Sequence, residues 1–189
     1  MNRRLFLSTA AVAIVGAGVA TYFIGRKADT PSSGAGASAG AQSGQAAGAQ
    51  PSAANLLAMS LPDVAGQTQA LSQWRGKPMV INFWATWCAP CVREMPELEA
   101  LSKKYPGVQL VGIGVDNVDN IRKFQEKVVV SYPLLVMGMS AIDTLRQLGN
   151  PSGGLPFTLV LNADGSISEK ILGEIDPAKL DASIARVVA

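Results

Sequence analysis

Cys88 and Cys91 are the only cysteines in this chain of 189 residues, and they stand three positions apart in FWATWCAPC, residues 83–91. Cysteines at that spacing can close a staple, share a metal ion, or exchange electrons as a dithiol/disulfide couple. A structural zinc site takes four ligands, usually Cys or His. With two cysteines and no histidine, an intrachain site would need two carboxylates, and we expect no metal. A disulfide closing four residues removes little chain entropy, about 2 kcal/mol by the loop formula, which makes a weak staple. The redox couple fits its surroundings better. Residues 78–84 (PMVINFW) form a short apolar run, the mark of a buried central strand, and a helix should begin at about Ala89. Cys88 then lies at a helix N terminus, where free N–H groups and the macrodipole favour a thiolate. It should be the accessible sulfur, with Cys91 shielded one turn further in. Cys88 would attack a substrate disulfide, and Cys91 would displace the product from the mixed disulfide, leaving Cys88–Cys91 oxidised. Pro90 removes a backbone donor and stiffens the turn.

The elements that must hold this pair follow from the spacing of apolar residues. Residues 56–61 and 67–71 read as a short strand pair around Gly66, followed by a turn at 74–76. Residues 92–105 place Leu98, Leu101 and Tyr105 on one helical face, and Pro96 should bend that helix. Residues 109–115 (QLVGIGV) read as a second buried strand, 117–128 as helix, 133–136 as extended, and 140–148 as helix up to Gly149. A strand at 157–161 (FTLVL), a turn at 162–165 and a hairpin partner at 166–172 come next. Asp176 can cap a last helix with Pro177 at its first position, running to about Val188. This order gives an α/β fold, a mixed sheet flanked by helices.

The N-terminal part is of another kind. Residues 5–24, LFLSTAAVAIVGAGVATYFI, carry no charge. At about 1.5 Å per residue they span roughly 30 Å, the thickness of a bilayer core. A cleaved export signal and an uncleaved anchor compete here. Gly18-Val19-Ala20 resembles a cleavage site, but the apolar run continues through Tyr22, Phe23 and Ile24, which favours one N-terminal transmembrane helix. Arg3-Arg4 favour a cytoplasmic start. RRLFL (3–7) is similar to a twin-arginine export motif, and an ordinary basic flank is the alternative. Residues 28–54, rich in Ala, Gly, Ser and Gln, cannot bury enough apolar surface to offset their ordering entropy and read as a flexible linker. The domains expected are thus 1–27 as anchor or export signal, 28–54 as linker and 55–189 as the folded part.

Within 55–189 there are 12 Lys+Arg and 13 Asp+Glu, a formal charge of −1. The net +2 of the whole chain therefore comes from the basic residues around the apolar segment. No basic face argues for nucleic acid.

NFWATWCAPCVREMP (82–96) resembles the active-site segment of thioredoxin-fold proteins, specifically the membrane-anchored TlpA/ResA-like branch. The resemblance continues through GKP (76–78), the strand at 109–115, GLPFTLVLNADG (154–165) and the final helix, and so covers 55–189. It implies a thioredoxin-like fold with a central insertion between the strand at 109–115 and the GLPFT segment. By resemblance Pro156 is a cis-proline beside the dithiol that helps hold substrate backbone, although X-Pro bonds are trans by default, and Leu155 before it tunes reactivity. Thioredoxin carries a buried acid where this chain has Asn82, so Asn82 cannot accept a proton. ResA-like members carry an acid at the position of Glu94, on the same helical face as Cys91; a solvated surface carboxylate is the alternative there. Asp116, at the end of a strand, is a weaker candidate. Trp84 should be core, and Trp87 an apolar contact for a partner.

The activity implied is thiol–disulfide oxidoreduction by a membrane-tethered protein in the bacterial inner membrane, its domain in the periplasm. It would reduce disulfides of exported proteins and take electrons from a membrane donor, since nothing here binds NADPH or flavin and no cofactor is expected. Cytochrome c maturation is one use of this branch. The GVYGAPET-type signature of one maturation subgroup is absent, with GGLPFT standing around Pro156, so apocytochrome c stays open as a substrate. An oxidant or isomerase and a redox-inert binding module are the alternatives. The Pro-x-x-x-Thr-x-x-Cys pattern of peroxiredoxins is not met, because Thr86 stands two positions before Cys88 rather than three.

Overall fold

All six residues of the strand Met79–Trp84 are buried, and their alternation divides the interior in two. Met79, Ile81 and Phe83 join one core layer, while Val80 and Trp84 join the other. A strand covered on both faces needs apolar residues at every position, apart from functional exceptions. The exception here is Asn82.

The computed structural model describes residues 53–189. In chain order the elements are α1 (Ala54–Leu57), β1 (Ser60–Pro62), β2 (Thr68–Ala70), a 3-10 turn (Leu71–Trp74), β3 (Met79–Trp84), α2 (Ala89–Lys104), β4 (Gln109–Gly114), α3 (Val118–Gln125), β5 (Leu134–Val136), a second 3-10 turn (Gly138–Ser140), α4 (Ala141–Gln147), β6 (Phe157–Leu161), β7 (Ile167–Leu172) and α5 (Pro177–Val188). The main sheet has the order β5-β4-β3-β6-β7. β3, β4 and β5 run parallel, whereas β6 is antiparallel to both β3 and β7. The expected mixed sheet is therefore present, with α3, β5 and α4 filling the stretch between β4 and β6.

One layer of the core joins α2 and α5 to the sheet through Met95, Leu98, Leu180 and Ile184. The other joins α1 and α4 through Leu56, Leu57, Ala141 and Leu145. β4 carries glycine on the α2 side at positions 112 and 114, and each makes room for a neighbour. A Cβ on Gly112 would stand 2.5 Å from Leu134 Cδ2, and one on Gly114 would meet Ile121.

Several boundaries differ from those the sequence suggested. The strand expected at 56–61 is reduced to Ser60–Pro62, because Leu56 and Leu57 lie in the helical turn α1. Adjacent residues of a strand face opposite ways; the turn lets both leucines bury in the same layer. Leu71 likewise leaves β2 for a 3-10 turn. Ala53 is buried and its N–H donates to the Gly165 carbonyl at 3.2 Å, so packing onto the core includes Ala53, and α1 includes Ala54, residues that the sequence assigned to the linker. α2 runs unbroken through Pro96, and Asn117 and Asp176 cap α3 and α5 with their side chains. Among the described residues no helix is long and apolar enough to cross a membrane. The segment 5–24 and the linker up to residue 52 lie outside them.

Candidate functional site

β3 ends at Trp84, and Cys88 follows as the N-cap of α2, its backbone extended at φ −90° and ψ 96°. The Cys91 N–H donates to Cys88 Sγ at 3.4 Å, and the two sulfurs form a disulfide across a Cα separation of 5.3 Å. The cap position puts Sγ where free helix N–H groups point, the arrangement that stabilises a thiolate after reduction. Cys88 is 6% exposed and Cys91 is fully buried. The order of access is the expected one, but even the outer sulfur offers little surface in the disulfide state.

The Leu155–Pro156 bond is cis, as the resemblance implied. β3 and β6 pair Phe83 with Phe157, so one more step along that antiparallel register brings Pro156 opposite Trp84, at the mouth of the dithiol loop. Leu155 is partly buried against the cluster that contains both cysteines. Trp84 is wholly buried and Trp87 is 64% exposed, an apolar ring left in water next to Cys88.

Glu94 is 2% exposed, which excludes the solvated surface reading. Asn82 Nδ2 donates to its Oε1 at 2.7 Å, and the Ile175 N–H donates to its Oε2 at 3.0 Å. Burial pushes the carboxyl above its ordinary range, and the Glu174 charge adds to this; the two hydrogen bonds pull the other way without cancelling it. A carboxyl of raised proton affinity one helical turn from Cys91 is equipped to exchange a proton as the sulfurs change state.

Asn82 also donates to Thr158 Oγ1 at 3.0 Å, while its Oδ1 has no partner among the described residues. Asn82 and Thr158 face each other across β3 and β6. Asn82 cannot take a proton, yet it is part of the site as a donor to the residue that can. Thr158 was missed at the sequence level; a polar side chain inside FTLVL, on the strand that follows Pro156, was the available signal. No sequence signal pointed to Ile175, because its contribution is a backbone N–H.

Asp116 is buried and bonded to Thr86 of the loop. It accepts hydrogen bonds from the Thr86 hydroxyl, from Asn120 Nδ2 at 2.8 Å and from the Asn117 N–H at 2.8 Å. Burial works to raise its pKa, but these bonds outweigh that and hold it below the ordinary carboxylate range. A carboxylate kept charged anchors Thr86, two residues before Cys88. Asp116 is thus bonded to the loop before Cys88 and to the start of α3.

A dithiol at a helix N terminus, a cis-proline across the sheet and a buried carboxyl under the helix define a thioredoxin-fold thiol–disulfide oxidoreductase. The chain belongs to the AhpC/TSA family, whose model matches residues 53–170, and within it to the relatives of the ResA oxidoreductases. It is 30% identical over 129 residues to the thiol-disulfide oxidoreductase ResA of Bacillus cereus, covering 66% of this chain and 72% of that protein. Among solved structures, a thioredoxin-related protein from Neisseria meningitidis serogroup B is 33% identical, with a TM-score of 0.60 over 68% of this chain and 98% of its own. A thiol:disulfide interchange protein of the thioredoxin family from Chlorobium tepidum is 26% identical, with a TM-score of 0.65 over 76% of this chain and all of the other.

Proposed function

We propose that this protein is a membrane-tethered reductase of disulfides in exported proteins, working through Cys88 and Cys91. The observation that carries the reading is the unequal placement of the two sulfurs: Cys88 caps α2 and keeps 6% of its surface exposed, whereas Cys91 is wholly enclosed. Cys88 thiolate attacks one sulfur of a substrate disulfide and expels the other as a thiol or thiolate. Cys91 then attacks Cys88 Sγ, releases the second substrate thiol, and leaves the protein disulfide. Glu94, as the carboxylate, takes the proton that Cys91 loses on attacking Cys88 Sγ, and returns it when the pair is reduced again. Pro156 and Leu155 seat substrate backbone, and Trp87 offers apolar contact beside the reacting sulfur.

Residues 5–24 are the bilayer anchor in this reading, single-pass in the bacterial inner membrane, with residues 55–189 in the periplasm beyond the linker. Each turnover oxidises the dithiol, so a membrane-bound thiol donor has to restore it. Exported protein disulfides are the substrate class, and apocytochrome c is one member of that class. The ResA name of the relatives and the interchange activity in the name of the Chlorobium protein support thiol–disulfide exchange.

The test is a pair of substitutions in the purified chain. Cys88→Ser should remove disulfide-reductase turnover to the uncatalysed level, and Cys91→Ser should accumulate mixed disulfides at Cys88, visible by mass spectrometry. Undiminished turnover in Cys88→Ser defeats the reading.

A further inference from the structure

The segment Gly173–Ile175, between β7 and α5, makes three different bonds in three consecutive residues. The Gly173 N–H donates to the carbonyl of the cis-proline Pro156 at 2.9 Å. Glu174 receives a bidentate pair from Arg93 of α2, Nε to Oε1 at 3.1 Å and Nη2 to Oε2 at 2.6 Å. The Ile175 N–H donates to Glu94 Oε2 at 3.0 Å. Gly173 has φ +91°, a conformation that glycine adopts freely, and this turns the chain so that the three residues face three partners. One short segment thus ties the proline that flanks the dithiol to the helix that carries it and to the carboxyl beneath.

Arg93 and Glu94 are adjacent on α2, and Glu174 and Ile175 are adjacent on the segment. The two contacts are therefore rungs of one ladder, the outer one ionic and exposed, the inner one buried. A bidentate guanidinium–carboxylate pair fixes direction as well as distance. We propose that Arg93 and Glu174 form a positioning pair, a surface latch that holds the Ile175 N–H on Glu94 and so sets how readily that carboxyl gains and loses its proton during turnover. The inference rests on the reading of Glu94 as the carboxyl coupled to the dithiol.

The charged or titratable groups around Glu94 are Glu174 on the segment and Tyr132 ahead of β5, with Cys91 and Arg93 its neighbours along α2; Asn82 approaches it as a neutral donor from β3, itself bonded to Thr158 of β6. Glu174 acts on Glu94 in two opposed ways. Its charge raises the proton affinity of Glu94, whereas the bond its latch secures, from the Ile175 N–H, lowers it. That opposition makes the latch separable from a plain charge effect. If position dominates, removing either partner raises the proton affinity of Glu94. If charge alone acts, Arg93→Gln raises it and Glu174→Gln lowers it.

The experiment follows the carboxyl of Glu94 by carbon-13 NMR against pH in the reduced full-length chain, with exchange of the Ile175 amide as a second readout. Arg93→Gln and Glu174→Gln should each move the titration midpoint to higher pH, by roughly two- to fivefold in proton activity, the scale an exposed bidentate pair can transmit. Both should speed exchange of the Ile175 amide, and the double variant should match the singles. The swapped pair, Arg93→Glu with Glu174→Arg, should restore slow exchange. The pH profile of Cys88 alkylation should shift with the latch variants, and that shift should vanish in a Glu94→Gln background. A midpoint lowered by Glu174→Gln, or unmoved by both variants, overturns the latch. Failure of the dithiol reading would appear separately, as turnover that survives Cys88→Ser with the carboxyl titration unaffected.

Discussion

Glu94→Gln keeps the size of a side chain that is 2% exposed and removes its charge. The folded-state proton affinity of Glu94 is raised, chiefly by burial. A raised acid contributes stability that is fully present below its unfolded value, ordinarily 4.5, and lost as pH climbs through the folded one. The wild-type protein should therefore weaken across that window while the glutamine variant does not, so the difference, variant minus wild type, should grow with pH. One proton is involved, so the difference can rise by at most about 1.4 kcal/mol per pH unit. Offsetting this is the loss of one acceptor. A glutamine oxygen can serve the Ile175 N–H, and its amide then confronts Asn82 Nδ2; leaving a buried donor unsatisfied costs about 1–3 kcal/mol. Turning the Asn82 amide over would set its oxygen against the new amide but would take Nδ2 from Thr158 and leave it where Oδ1 now has no partner, so the cost stays. The cost is independent of pH, so it shifts the whole difference curve without changing its slope. The assay is urea unfolding of both proteins in the oxidised state, where the cysteines do not titrate, from about pH 4 to pH 9. Parallel curves, or a wild type that gains on the variant with rising pH, would refute the assignment of Glu94 as a carboxyl whose burial outweighs its hydrogen bonds.

Other expectations follow from the same geometry. Asn82→Asp would set a second carboxyl against Glu94 at the present 2.7 Å separation; the pair should share one proton, and urea midpoints should fall more steeply with rising pH than in the wild type. Gly112→Ala would drive a methyl to 2.5 Å from Leu134 Cδ2 and 3.2 Å from Trp84 Nε1. The expected loss, also read by urea unfolding, is about 1–3 kcal/mol, the usual cost of overfilling a packed core. Trp87→Ala removes a ring that is 64% exposed, so Tm should hardly move, while KM for protein disulfides rises by roughly tenfold if that ring anchors substrate. A small disulfide such as oxidised glutathione should be reduced at an unchanged rate.

The chemistry of this protein was readable from local sequence because its main parts are local. Cys88 and Cys91 are three residues apart, the helix that activates them begins between them, and Asp176-Pro177 announces the start of α5 by capping rules that need no distant partner. β3 was equally clear, since six consecutive buried residues leave few alternatives. Where two structures satisfy the same apolar pattern, the reading failed: Leu56-Leu57 suits a strand or a helical turn, and only packing against Ala141 and Leu145 in one layer selects the turn.

The selection of Glu94 as a candidate beside the cysteines came from the resemblance and its place on the α2 face, but its burial did not. A carboxyl at that position is ordinary if water reaches it and of raised proton affinity if it does not. What closes the space is Ile175, 81 residues later, and Asn82, 12 residues earlier. Neither partner shows in a helical period, because hydrogen bonds between distant segments depend on how the sheet register and the β7–α5 turn meet in space. Sequence alone placed the two sulfurs at the start of α2 and gave their order of access; tertiary structure alone decided which carboxyl is buried beside that helix, since burial is a property of the assembled layers and not of any one segment.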